Sequence, residues 1–187
     1  RRRASKAMVI DLDDPLYPRR RFVQRGFAVV SAYVARTFDV PSDEAFTVLS
    51  ECASRGEGHN AFQALCRAFR LDAATIPALV HVFRTHHPDI FLGRGARDML
   101  LDLRASGWKV AVLTNGLPSV QTRKVQALGL GALVDHVVYA EQVVPGGKPS
   151  AAAFSAVLQR LGTTPLQTVA LGDDPEKDIA GARAAGL

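Results

Sequence analysis

The chain has 187 residues, 48% hydrophobic and 22% charged, with a formal net charge of 23 − 18 = +5. That size suits one core with a modest insertion, and the balance is that of a soluble globular protein, not of a disordered or collagen-like one. No apolar run approaches the ~18 residues of a membrane-spanning helix. Only four apolar residues, Ala7–Ile10, lie between the basic start Arg1-Arg2-Arg3 and Asp11, too few for a signal core, so the expected location is the cytoplasm.

The positive excess gathers in Arg1–Arg3 and Arg19–Arg21. Without aromatic interleaving or zinc-finger spacing, these clusters read as a solvated tail and a solvated helix start, and a nucleic-acid partner is disfavoured. Cys52 and Cys66 belong to no C-x-x-C pair and read as reduced packing residues.

In chain order, Ala7-Met8-Val9-Ile10-Asp11 reads as a short buried strand ending on an acid. From about 20 to 92 the periodicity is helical. Phe22, Gly26, Val29, Val30 and Tyr33 share a face, as do Phe62, Leu65, Cys66 and Phe69, then Ile76, Leu79, Val80 and Phe83. Pro41-Ser42-Asp43-Glu44 reads as a helix start capped by Ser42, and Arg55-Gly56-Glu57-Gly58-His59 as an interhelical loop. His81, His86 and His87 fall at a helix end, where histidine complements the helix dipole.

After residue 92 the rhythm changes. A helix through Ala96, Met99, Leu100 and Leu103 leads to a strand over Lys109–Thr114. A helix over Val120–Leu128 precedes a strand over His136–Tyr139. A helix marked by Phe154, Val157, Leu158 and Leu161 precedes a strand over Thr168–Leu171, and a last helix opens at Pro175. Alternating strands and helices predict an α/β fold: a Rossmann-like parallel sheet, with the helical block inserted after the first strand. The expected division is a core over 1–16 and 93–187 and a helical unit over 17–92.

Ligands of open parallel sheets bind at the carboxyl ends of the strands. There the sequence places Asp11-Leu12-Asp13, Thr114-Asn115-Gly116, Gly147-Lys148-Pro149 and Gly172-Asp173-Asp174, with Asp178 shortly after. Each piece alone is ordinary turn or cap chemistry. Together they crowd carboxylates beyond what one lysine neutralises, and hard oxygen donors beside a phosphate suit Mg²⁺. No G-x-S-x-G elbow, P-loop or G-x-G-x-x-G is present.

Asp11-Leu12-Asp13-Asp14, Val112-Leu113-Thr114-Asn115, Gly147-Lys148-Pro149 and Gly172-Asp173-Asp174-Pro175-Glu176-Lys177-Asp178 together resemble the four ordered motifs of the haloacid dehalogenase superfamily. The resemblance implies a hydrolase whose inserted helical block is a substrate-selecting cap. Asp11 would be the nucleophile forming an aspartyl-phosphate, and Asp13 the acid and base. Thr114 and the Asn115 backbone, with Gly116, would hold the phosphoryl oxygens, and Lys148 would neutralise charge. Magnesium would be held by Asp11, the Asp13 carbonyl and Asp173, with Asp178 in support. An acid at Asp13 favours phosphate esters over halides, because a halide leaves without a proton.

Response regulators share the Asp/Thr/Lys ingredients, but their phosphoacceptor lies on a middle strand. Leu16-Tyr17-Pro18 resembles the branch of pyrimidine nucleotidases and N-acylneuraminate phosphatases. The expected function is magnesium-dependent hydrolysis of a small phosphorylated metabolite, with Arg55 and His59 of the cap loop reaching the substrate. The alternative is a phosphatase-like module that binds a ligand or partner with little turnover. Two departures from the family stand out: Pro15 occupies a position that is normally Thr or Val, and the sequence stops at Gly186-Leu187, where the family usually continues into a fifth core strand.

Overall fold

A computed structural model describes residues 6–187; the Arg1–Arg3 cluster lies outside the described residues. The elements run β1 (Ala7–Ile10), α1 (Arg19–Phe38), α2 (Ser42–Ser54), α3 (Ala61–Ala68), α4 (Ile76–Thr85), α5 (Arg94–Ala105), β2 (Lys109–Thr114), α6 (Pro118–Ala127), β3 (His136–Tyr139), α7 (Ala140–Val143), α8 (Ala151–Leu161), β4 (Thr168–Leu171) and α9 (Gly181–Ala184). The chain divides into two compact units, one formed by the segment up to Arg19 with Ile90–Leu187, the other by Arg20–Asp89. Leu16 and Tyr17 are buried, and the Tyr17 hydroxyl donates to Asp13.

In the first unit the four strands form a parallel sheet in the order β3-β2-β1-β4. β1 pairs Ala7 with Lys109 on one side and with Thr168 on the other. It is an apolar run because it is covered by neighbours on both edges and helices on its faces. Alternation places Ala7, Val9, Ala111, Leu113 and Val138 on one face, where they pack with Phe154, Val157 and Leu161 of α8. β4 lies at the edge of the sheet, and its Val169 and Leu171 are correspondingly exposed. The order reverses between β1 and β4, since the chain winds outward through β2 and β3 before returning to the other side of β1. That switch point opens the crevice at the strand ends.

The second unit is helical. Phe27, Val30 and Val34 of α1 pack with Leu49 of α2, Leu65 of α3 and Leu79 of α4. Cys52 and Cys66 are buried there as free thiols. Ser42 is not the cap of α2: the Ala45 amide donates to the Pro41 carbonyl at 3.0 Å, so the helical ladder already starts at Ser42 and Pro41 holds the capping position. The Arg55–His59 stretch is a helix end, a turn and the start of a single 3₁₀ turn over Gly58–Asn60. Among the described residues no helix is long and apolar enough to cross a membrane.

Candidate active site

β1 and β2 lead into polar groups because the apolar run that buries each of them stops there. The Asp11 amide continues the β1–β4 ladder to the Leu171 carbonyl (2.9 Å), so its side chain emerges as pairing ends. Thr114 is the last residue of β2 and is 1% exposed. Asp14 lies at φ 71° ahead of Pro15, outside the right-handed helical region that a following proline disfavours. Its carboxylate accepts from the Arg19 amide (2.9 Å), the first residue of α1.

These ends surround a cavity of about 400 Å³ lined by Asp11, Asp13, Thr114, Asn115, Lys148, Asp173 and Asp178, with Asp14, Arg19, Asp174 and Lys177 also lining it. The Lys148 ammonium, 4% exposed, sits 2.5 Å from both Asp11 Oδ1 and Asp178 Oδ1. Asp178 Oδ2 also accepts from the Asp174 amide at 3.1 Å. Lys148 is placed by its own backbone. Asn115 Oδ1 accepts from the Lys148 amide (2.8 Å) while Asn115 Nδ2 donates to the Lys148 carbonyl (2.9 Å). Gly147, at φ 62°, makes room for this clasp, for a Cβ there would lie 2.5 Å from Asn115 Oδ1. The Asn115 side chain therefore has a structural task that its sequence context did not announce.

Carboxylate oxygens of Asp11, Asp173 and Asp178 lie within 4.8 Å of one another. Burial pushes the Asp11 carboxyl up to about 6, against the opposing charge and hydrogen bond of Lys148, and the charges of Asp178 and Asp13 add to the rise. One lysine thus leaves this cluster short of positive charge. Closely spaced, hard oxygen donors in such a deficit fit a divalent cation of the magnesium type. Asp174 is not in the cluster. Its Oδ1 accepts from the Glu176 and Lys177 amides (3.0 and 2.9 Å), capping the helical turns over Pro175–Ala180. Those amide bonds, first that of Lys177, hold its carboxyl below the usual range.

Asp13 occupies a different setting. Its two oxygens are each 2.8 Å from the ammonium of Lys124, a lysine of α6 that is itself 4% exposed. The Tyr17 hydroxyl and the Gln121 amide, at 3.4 Å, donate to the same carboxylate. Burial pushes Asp13 up, but the Lys124 charge and these hydrogen bonds prevail and hold the carboxyl below its usual range. Asp13 stands as an anion. The Tyr17 phenol is driven the other way, upward, by burial and by the Asp13 charge.

Gln121 and Lys124 were not singled out in the sequence. Gly116 donates through its amide to Glu141 Oε1 at 3.1 Å. Arg55 and His59 belong to the helical unit. There Arg55 lies 3.7 Å from both Glu51 and Glu57, and the His59 ring meets the Asn60 amide at 3.0 Å.

A family model described as haloacid dehalogenase-like hydrolase matches residues 5–186. The chain belongs to that family. The glyceraldehyde 3-phosphate phosphatase of Methanothermobacter thermautotrophicus is 27% identical over 97% of this chain and 83% of its own length. The phosphoserine phosphatase of Thermus thermophilus is 36% identical over 49% of this chain and 36% of its own. The HAD-hydrolase YfnB from Bacillus subtilis, solved bound to magnesium, shares the fold, with a TM-score of 0.67 at 20% identity over 99% of this chain and 85% of that one. The helical insert between β1 and β2 stands where haloacid dehalogenase-like hydrolases carry a cap.

Proposed function

We propose that this haloacid dehalogenase-like hydrolase is a magnesium-dependent phosphatase of small phosphomonoesters, with Asp11 as nucleophile. The observation that carries the reading is the nearly buried Lys148 held between Asp11 and Asp178 at 2.5 Å, beside the Asp11–Asp173–Asp178 cluster. Phosphoryl transfer asks chiefly for positioning and charge neutralisation. An Asp11 oxygen bonds to phosphorus as the ester P–O bond breaks, and a proton passes through Asp13 to the leaving oxygen. Since Lys124 favours the Asp13 anion, the proton source at hand is the substrate's own monoanion. Water then attacks phosphorus, Asp13 takes its proton, and the Asp11–phosphorus bond breaks.

The Thr114 hydroxyl and the Asn115 amide donate to the phosphoryl oxygens, and Lys148 offsets charge on Asp11 and phosphate. Asp11, Asp173 and Asp178, with the Asp13 carbonyl, would hold magnesium, which supplies charge stabilisation at the phosphoryl group. The relatives named above support a small phosphorylated metabolite as substrate, and Arg55 and His59 would select it from the cap.

The test is p-nitrophenyl phosphate hydrolysis by the purified chain with magnesium, with EDTA, and after magnesium is restored. Turnover that disappears in EDTA and returns with the ion is expected, together with its loss in Asp11→Asn. Undiminished turnover in EDTA would refute the metal assignment, and absence of turnover under all conditions would refute the phosphatase reading.

A further inference from the structure

Lys124 is a buried lysine on a helix. A buried ion pair is a poor route to stability, because desolvating both charges offsets most of their attraction and an apolar pair often does as well. Its presence calls for a task beyond folding, and its neighbours indicate one. Gln121 precedes it by three positions, which puts both side chains on one face of α6. Gln121 Nε2 donates to Thr114 Oγ1 at 2.6 Å and reaches Asp13 Oδ2 at 3.4 Å. The nitrogen end of the amide must face this way, since an ionised carboxylate only accepts.

By filling the acceptor side of the Thr114 oxygen, Gln121 leaves the Thr114 hydrogen free to be donated. Within the protein that hydrogen has a long contact, 3.4 Å, to the Asn115 carbonyl. Lys124, bidentate at 2.8 Å, fixes the plane of the Asp13 carboxylate. Gln121, Lys124 and Thr114 are 3%, 4% and 1% exposed, so solvent does not compete for these bonds.

We propose that Gln121 and Lys124 form a bracket that positions two reacting groups at once, aiming the Thr114 hydroxyl at the phosphoryl group and the Asp13 carboxylate at the leaving oxygen. Both are positioning residues: each acts through a group that touches the substrate. The assignment rests on the roles given above to Asp13 and Thr114. It places specificity for poor leaving groups in α6, a helix of the sheet unit, and not in the cap.

The experiment compares kcat/KM on p-nitrophenyl phosphate and on phenyl phosphate, whose leaving group needs more help from a proton, in Lys124→Met, Lys124→Arg and Asp13→Asn. Lys124→Met is expected to lose about tenfold more on phenyl than on p-nitrophenyl phosphate, with Lys124→Arg recovering part of the difference. In an Asp13→Asn background the same Lys124→Met change is expected to cost less than about twofold, because its target is gone. For the other arm, Gln121→Leu is expected to weaken inhibition by orthovanadate about tenfold in wild type and less than about twofold in Thr114→Val.

Melting temperatures are recorded for each variant, so that a fold defect shows as equal losses on both esters. Equal losses, or losses that simply add in the double variants, would overturn the bracket while leaving the phosphatase reading intact. An Asp13→Asn variant with unchanged leaving-group dependence would overturn the bracket together with the proton-transfer role given to Asp13.

Discussion

Replacing Asp11 with Asn removes a charge that the fold holds at a cost, and the size of that cost follows from its surroundings. The carboxyl side chain is 11% exposed and titrates near 6 in place of 3.8. The folded chain therefore keeps the Asp11 proton to higher pH than the unfolded chain does. Stability attached to this group is complete below about pH 4, declines as pH rises, and is gone once pH passes the folded value near 6. At about 1.4 kcal/mol per pH unit the full span is about 3 kcal/mol, of which about 2 kcal/mol falls between pH 4.5 and 7.5.

Asn cannot ionise, so in chelator-treated protein the stability of Asp11→Asn relative to wild type should rise by about 2 kcal/mol across that interval. Urea unfolding followed by circular dichroism at both pH values measures it, and taking the difference of differences cancels the other titrating groups. Parallel pH profiles for the two proteins, or a relative gain by wild type at high pH, would refute the reasoning. Asp11 would then be a group the fold holds without cost.

Asn115→Ala removes both bonds to the Lys148 backbone and should cost about 1–3 kcal/mol in urea unfolding, with a fall in kcat; unchanged stability would show that Lys148 is held by other means. Gly172→Ala drives a Cβ into the Asp178 carboxylate and should weaken magnesium binding about tenfold by calorimetry, with equal affinity arguing against Asp178 as a metal partner. Arg55→Ala with His59→Ala should reorder a panel of metabolite phosphates more than it lowers p-nitrophenyl phosphate turnover. The exposed pairs of Arg55 with Glu51 and Glu57 at 3.7 Å are weak enough to release it. An unchanged order would make that segment a connector.

The strand ends were legible because a buried parallel strand must be apolar and must stop being so where it meets the crevice. Val112-Leu113-Thr114-Asn115 shows this in four letters. The strand order was not legible, since nothing local in Thr168–Leu171 says that it pairs with the first strand and not with the third. Asp11, Thr114 and Asp173 could be placed together from the sequence because each stands at or just past a strand end, whereas Lys148 and Asp178 stand further on, in the loop before α8 and within the helical turns over Pro175–Ala180.

Gln121 and Lys124 could not be found that way, since in Gln121-Thr122-Arg123-Lys124 a buried lysine looks like a solvated one. A signal was nonetheless present. Val125 and Leu128 mark the inward face at the end of α6, and stepping back four residues from each reaches Gln121 and Lys124. Ser42 failed for a related reason: a serine after a proline satisfies the capping pattern, but the backbone ladder had already begun one residue earlier.

The register of β1 also bears on how the molecule comes to exist. Its partners lie 109 − 7 = 102 and 168 − 7 = 161 residues downstream. At a synthesis rate of roughly 5–20 residues per second, β4 leaves the ribosome roughly 8–30 s after β1. In that interval Ala7-Met8-Val9-Ile10 is an apolar segment without its sheet, while the helical unit over Arg20–Asp89 already has all of its own contacts to hand. The strand that leads into Asp11 is thus made before its sheet partners and completes its pairing late. Chaperone dependence of this segment in a cell should accordingly centre on β1.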